Sequence, residues 1–230
     1  MRRTSVPNSP STPANTPISP VKAASTRNTA VGITTANSVV IVTKDVAETP
    51  SFAAHATNSP FRIDEKVVAA FVGVSGDARP LANGAQQKVA QKRFEVGEPP
   101  AIEYVAHTIG DQMAKAAKHA TLTFHPFAVS ALVGGIDGKT PALFRIDTTI
   151  KTACSKVAAI GSGAAKAQAY LDEHYTDGLN EAGAVALAVK AILQTGTLAA
   201  EEAEIAVISV EKGFSSYSLT EKRNAIDDVV

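Results

Sequence analysis

The sequence predicts an α+β fold in which two antiparallel sheets lie between helical layers, and three observations carry that prediction. The first is order. Strand-like segments come first, then two helical segments, strands, two more helices and strands again, and segregated blocks of this kind build sheets from hairpins. The second is texture. Pro126-Phe127-Ala128-Val129-Ser130, Gly134-Gly135-Ile136-Asp137 and Pro141–Asp147 are apolar stretches broken by Gly and Asp, the pattern of buried strands joined by tight turns. The third is Ala159-Ile160-Gly161-Ser162-Gly163, which ends a strand at a Gly-Ser-Gly turn just before the helix-forming run Ala164–Tyr175.

The elements follow in order. Ala30–Ile33 and Val39–Thr43 are β-branched runs on either side of Thr34–Ser38 and read as a hairpin. Val67–Val74 is a further apolar strand. Asp77 opens a helix, where a carboxylate suits the free amides and the dipole. Leu81, Ala85 and Val89 give that helix an apolar stripe, which Lys92–Phe94 extends. Glu103–Lys118 places Val105, Ile109 and Met113 on one face. Strands are expected near Phe127–Val133, Ala142–Ile146 and Thr152–Ala158, helices over Ala164–Tyr175 and Glu181–Gln194, and closing strands over Ala203–Val210 and Phe214–Ser218.

The 230 residues divide into a basic Ser/Pro-rich tail (1–28), one folded domain (29–219) and a C-terminal extension (220–230). A hydrophobic content of 45% against 19% charged residues is enough to bury a sizeable core. Net charge is zero but uneven: the first 44 residues hold five basic side chains and no acid, and the remaining 17 Lys and Arg face 22 Asp and Glu. A mildly acidic body argues against nucleic-acid binding. No apolar run reaches the ~20 residues that cross a bilayer, so no membrane partner is expected. Cys154, the only cysteine, excludes an internal disulfide and fits a reducing compartment, hence a cytoplasmic location. It sits in the strand-like run Ile150–Cys154 and reads as a small buried hydrophobe.

Residues 4–20 are dominated by Ser, Thr, Pro and Asn and lack the apolar surface that offsets ordering entropy; disorder with local polyproline character is expected. Ser9-Pro10, Thr12-Pro13, Thr16-Pro17 and Ser19-Pro20 are proline-directed phosphoacceptor candidates. Met1-Arg2-Arg3 with no acids also suits a transit peptide, although dense prolines break the amphipathic helix such peptides form.

The signatures between Phe127 and Gly163, in their order and spacing, resemble proteasome core-particle subunits, the α-type in particular. Gly73-Val74-Ser75-Gly76-Asp77-Ala78-Arg79 matches that family's Gly-rich turn and helix entry, and Arg93…Gly97-Glu98-Pro99 resembles the α-type helix exit. Thr29-Ala30-Val31-Gly32-Ile33 and Glu204–Ile208 are similar to its first and closing core strands, so the resemblance covers Thr29 to about Leu219. It implies the four-layer α/β/β/α sandwich of the N-terminal-nucleophile-hydrolase type. It also implies a subunit of stacked heptameric rings of α and β subunits, joined by a regulatory cap or ATPase, that degrade proteins by an ATP-dependent or ubiquitin-dependent route in the cytoplasm, and in the nucleus of a eukaryote.

Peptide-cleaving β subunits of this family use a Thr at the first core residue, whose own α-amine acts as base, with an acidic residue near the end of the second strand and a Lys opening the third. Aligned on Val31-Gly32-Ile33, the first two positions read Asn28 and Lys44, and lining up Phe61-Arg62-Ile63-Asp64 with the third strand puts Ser59 at the Lys position. An amide cannot attack a carbonyl as an alkoxide can, the acidic position is charge-reversed, and the supporting Arg-Asp pair is missing between Gln194 and Glu204. Thr29, one step on, reads as a β-branched strand residue. No catalytic, cofactor or metal residue is assigned. His55, His107, His119, His125 and His174 show no ligand spacing, and His107 and His119 are expected on solvated helix faces. The glycines of Gly161-Ser162-Gly163 are explained by a tight strand-to-helix turn without a bound anion.

Three departures from the α-type pattern stand out. Ser19-Pro20-Val21-Lys22 lacks the signature of the ring-top N-terminal helix, Ser59 replaces the Lys of the pocket that receives activator C-termini, and Asp147-Thr148-Thr149-Ile150 replaces an Asp-Pro-Ser-Gly turn. The reading is a non-catalytic α-type subunit. The alternatives are a diverged paralogue acting as an interaction module, or a threonine peptidase of the simpler bacterial two-partner type.

Overall fold

The computed structural model describes residues 28–45, 60–119 and 126–229. The expectations for the tail, for Ser59 and for His55 and His125 lie outside the described residues. Strands β1 (Thr29–Thr34) and β2 (Ser38–Lys44) form the predicted hairpin, with Thr29 opposite Lys44 and Thr34 opposite Val39. The Thr35 hydroxyl accepts the amides of Asn37 and Ser38 and shapes the turn. Next come β3 (Phe61–Asp64), β4 (Val67–Gly73), β5 (Val129–Asp137), β6 (Thr140–Ile146), β7 (Thr152–Cys154), β8 (Val157–Gly161), β9 (Ala203–Ser209) and β10 (Gly213–Ser216). They make two antiparallel five-stranded sheets, ordered β10-β9-β2-β1-β8 and β3-β4-β5-β6-β7. The helices are α1 (Ser75–Val96), α2 (Ile102–Lys118), α3 (Ala164–His174), α4 (Glu181–Leu193) and α5 (Leu219–Asp227).

Strand residues alternate between two apolar environments, which is why these strands read as continuous apolar runs. Ala30, Ile41, Val68, Leu132, Leu143 and Ile208 meet between the sheets. Val31, Val40 and Ile205 turn outward against Leu171 of α3 and Val185 and Ile192 of α4. Ala69, Phe71 and Val133 turn outward against Leu81 and Val89 of α1 and Ile109 and Met113 of α2. Three cores between four layers give the α/β/β/α sandwich that the sequence predicts. Each fully buried Val, Leu or Ile contributes about 1.5–3 kcal/mol of transfer free energy, so a strand with two buried faces is anchored from both sides.

Several local expectations differ. Gly134 and Gly135 lie inside β5 rather than in a turn, which falls instead at Gly138. A Cβ on Gly134 would stand 2.7 Å from Val39 Cγ1, and one on Gly135 2.3 Å from the Lys66 carbonyl oxygen; the glycines let the sheets and strands close up. Thr152–Ala158 is not one strand. The chain leaves β7 in the second sheet and enters β8 in the first, pinned at the crossing by Ser155 N–H donating to the Leu143 carbonyl and Thr34 N–H donating to the Lys156 carbonyl. Cys154 is exposed, not buried, because β7 is a short edge strand with β6 as its one neighbour. Asp77 lies in the first turn of α1, buried, and its carboxylate accepts the Ala128 amide at 2.9 Å, fastening the helix to the entry of β5. Phe94 extends no stripe: it is 91% exposed near the end of α1. α5 was not predicted. It is opened by a capping box in which Ser218 and Glu221 bond each other's backbone amides, and it buries Ile226 in the core beside α4.

Candidate functional site

The position where the resemblance looks for a nucleophile lies at one end of the first sheet. The start of β1, the end of β2, the β8–α3 turn and the α4–β9 loop converge there. Antiparallel register sets this up: Thr29 stands opposite Lys44 on one side and Gly161 on the other. Asn28 Nδ2 donates to Asp45 Oδ1 at 2.5 Å, and the Asn28 carbonyl accepts the Ser162 amide at 3.1 Å. Thr29 is buried, and its hydroxyl accepts the Gly163 amide at 3.2 Å. The Lys44 ammonium reaches across to donate to the Thr197 carbonyl.

The glycines of the turn are explained by close approach. Gly161 takes φ +102°, and a Cβ there would stand 2.1 Å from the Asn28 carbonyl oxygen. On Gly163 a Cβ would strike Thr195 at 2.4 Å. The Ser162 and Gly163 amides, which would have to serve an anion, already bond Asn28 and Thr29.

The chemistry of this arrangement is limited. Asn28 carries an amide rather than a hydroxyl or thiol, and that amide donates to Asp45. The Thr29 oxygen receives a hydrogen bond from the Gly163 amide, and Lys44, opposite it in the β1–β2 register, is engaged by the Thr197 carbonyl. The structure brings together Asn28, Thr29 and Lys44, which the sequence singles out, and adds Asp45, which it does not. The β1–β2 register carries the signal: extended by one residue past Thr29 and Lys44, it sets Asn28 against Asp45. Elsewhere, His107 is exposed on α2 with Glu103 3.7 Å away, and His119 is exposed at its end. Among the described residues no group of three His, Cys, Asp or Glu side chains is placed to hold a metal, and no helix is long and apolar enough to cross a membrane.

Comparison with known proteins agrees with this frame. The family model described as "Proteasome subunit" matches residues 24–208. A proteasome subunit alpha from Sulfolobus acidocaldarius is 29% identical over 85% of this chain and 82% of its own length. A probable proteasome subunit alpha type-5 from Schizosaccharomyces pombe is 27% identical over 86% of this chain and 83% of its own. A proteasome subunit beta from Methanothermobacter thermautotrophicus is 30% identical over 87% of this chain and 95% of its own. With the predicted sandwich in place and α-type subunits of archaea and yeast among its relatives, the chain belongs to the proteasome subunit family and is an α-type member of it.

Proposed function

We infer that this chain is a structural, non-catalytic subunit. It builds an outer heptameric ring with other α subunits, stacks on rings of β subunits and shapes the entrance through which protein substrates reach the proteolytic chamber. The observation that carries the reading is the state of the nucleophile position: Asn28 paired with Asp45, with Thr29 bonded to Gly163 and Lys44 to Thr197. A regulatory cap or ATPase completes the assembly. Its C-terminal tails find Ser59 where α-type pockets present Lys, so this subunit contributes weakly to their capture. The exposed thiol of Cys154 suits a reducing compartment, the cytoplasm or also the nucleus of a eukaryote.

Two measurements test this. Native mass spectrometry of the complex purified from its source should find the chain bound to α and β subunits; a chain recovered only outside such rings would overturn the structural role. Purified chain should leave fluorogenic peptides uncut. Cleavage that disappears on Thr29→Ala would show a working threonine site and refute the non-catalytic reading.

A further inference from the structure

A groove of about 370 Å³ runs between α4 and α5, floored by Val185, Ala186, Tyr217 and Val229 and edged by Glu221 and Asp228. Tyr217 and Val229 pack on the core beneath yet keep part of their surface toward the groove. The two cations of α5 face elsewhere, with Lys222 paired to Glu204 and Arg223 to Glu201. Among the described residues, neither Glu221 nor Asp228 has a Lys or Arg in ion-pair contact. Burial pushes the Tyr217 phenol up, and the carboxylates of Glu181 and Glu221 push it further, so the ring sits in a negative field. An aromatic, half-apolar floor with an acidic edge suits a basic polyproline-type segment, which presents an unbranched ridge of prolines at little entropic cost.

The chain carries such a segment. Pro17-Ile18-Ser19-Pro20-Val21-Lys22 spaces its prolines by three, and three residues make one turn of a polyproline II helix, so in that conformation both rings would share an edge with a cation just beyond. Residues 1–27 hold four basic side chains and no acid, the charge complement of the groove's edge. Reach is sufficient. With Pro17–Lys22 docked, the free tether from Lys22 to Asn28 spans up to ~20 Å when extended. Asn28 bonds the β8–α3 turn, against which Thr195 packs just past the end of α4, and α4 from there back to Ala182 is only ~17–20 Å long. We propose that the α4–α5 groove docks the chain's own Pro17–Lys22 segment, with Pro17 and Pro20 on Tyr217 and Lys22 at Glu221 and Asp228. Ser19 then lies within the docked stretch, where an added negative charge meets the acidic edge.

The test uses the purified full-length chain, mixed in equal parts with ¹⁵N-labelled chain, and a zero-length carbodiimide that joins amines to carboxylates. The expected product links Lys22 to Glu221 or Asp228 with one isotope label throughout. The Pro17→Ala/Pro20→Ala double variant and Ser19→Asp should each lower its yield about two- to fivefold, the scale of one exposed polar contact. Both variants change only the tail, so the body serves as an internal control. Absence of the link, or a yield the variants leave unchanged, overturns the proposal. A product that mainly mixes labels overturns it as well, because the groove then takes the segment of a second copy.

Discussion

Asn28 and Asp45 are joined side chain to side chain at 2.5 Å, across the open end of the β1–β2 hairpin. An amide donor therefore meets a carboxylate where the resemblance looks for a nucleophile, and this contact helps close the end of the first sheet.

Replacing Asn28 with Asp should set two carboxylates against each other. At neutral pH the Asn28→Asp variant should lose about 1–2 kcal/mol, the scale of a broken part-buried hydrogen bond to a charged group. Like-charge repulsion raises the folded-state pKa of the pair above its unfolded value. The folded variant then binds protons more tightly, so its deficit should shrink as pH falls through that raised pKa. Urea unfolding at neutral and mildly acidic pH checks this. An equal deficit at both would show that packing, rather than charge, sets the cost.

Ile150 stands at φ +68°, the one described residue other than glycine in the left-handed region. Its amide donates to the Asp147 carbonyl, while Asp147 Oδ1 accepts the Thr149 and Lys151 amides, and this clamp forces the turn. Ile150→Ala and Ile150→Gly both remove the side chain that packs on the core beneath α1 and α2, but only Ala keeps the Cβ clash. Gly should therefore be the more stable of the two by about 1 kcal/mol, reversing the usual order. Thermal unfolding with Ala above Gly would mean that the turn relaxes.

Gly135→Ala should be severe. The added methyl would meet the Lys66 carbonyl oxygen, a backbone atom that cannot swing aside. A loss of about 2–3 kcal/mol is expected, the upper range for overpacking. Gly138→Ala, at an open turn with positive φ, should cost only the conformational strain, about 1 kcal/mol. Similar losses at the two sites would contradict the steric account.

Hydrogen bonds from the Ser218 side chain and backbone hold the Glu221 carboxyl below the ordinary carboxylate range. A lowered folded pKa gives stability that is fully present above the unfolded value, about 4.3, and is lost as pH falls through the folded one. Wild type should therefore lose more stability than Ser218→Ala on acidification, the two curves converging at low pH. Parallel curves would indicate that the capping box does not survive in solution.

The layers were legible because their strands are buried on both faces and their helices carry clear stripes. Val105, Ile109 and Met113 were found from spacing alone and are all buried. What escaped was decided by tertiary contact. Gly134 and Gly135 look like turn residues until Val39 and Lys66 are seen pressing on them. Thr152–Ala158 has uniform strand composition, and nothing local says that its halves join different sheets. Phe94 has the composition of a core residue but faces solvent. At the candidate site Asn28 and Lys44 followed from alignment, whereas Asp45 needed the strand register. α5 carries its own local signal, Ser218 and Glu221 spaced as a capping box, masked in the sequence by the short strand just before it.

The crossing between β7 and β8 divides the chain by order of synthesis. The second sheet is continuous in sequence, Phe61–Cys154, with α1 and α2 inside it, and can close as soon as that stretch is made. The first sheet is split: its β1–β2 hairpin is made earliest but gains its flanking partners, Val157–Gly161 and Ala203–Ser209, only from the final third of the chain. Until then the hairpin has two unpaired edges of Val and Ile, the kind of surface that recruits other chains. The first strands to be made are thus the last to be protected, and a growing chain of this fold is most exposed to aggregation just before its C-terminal third emerges.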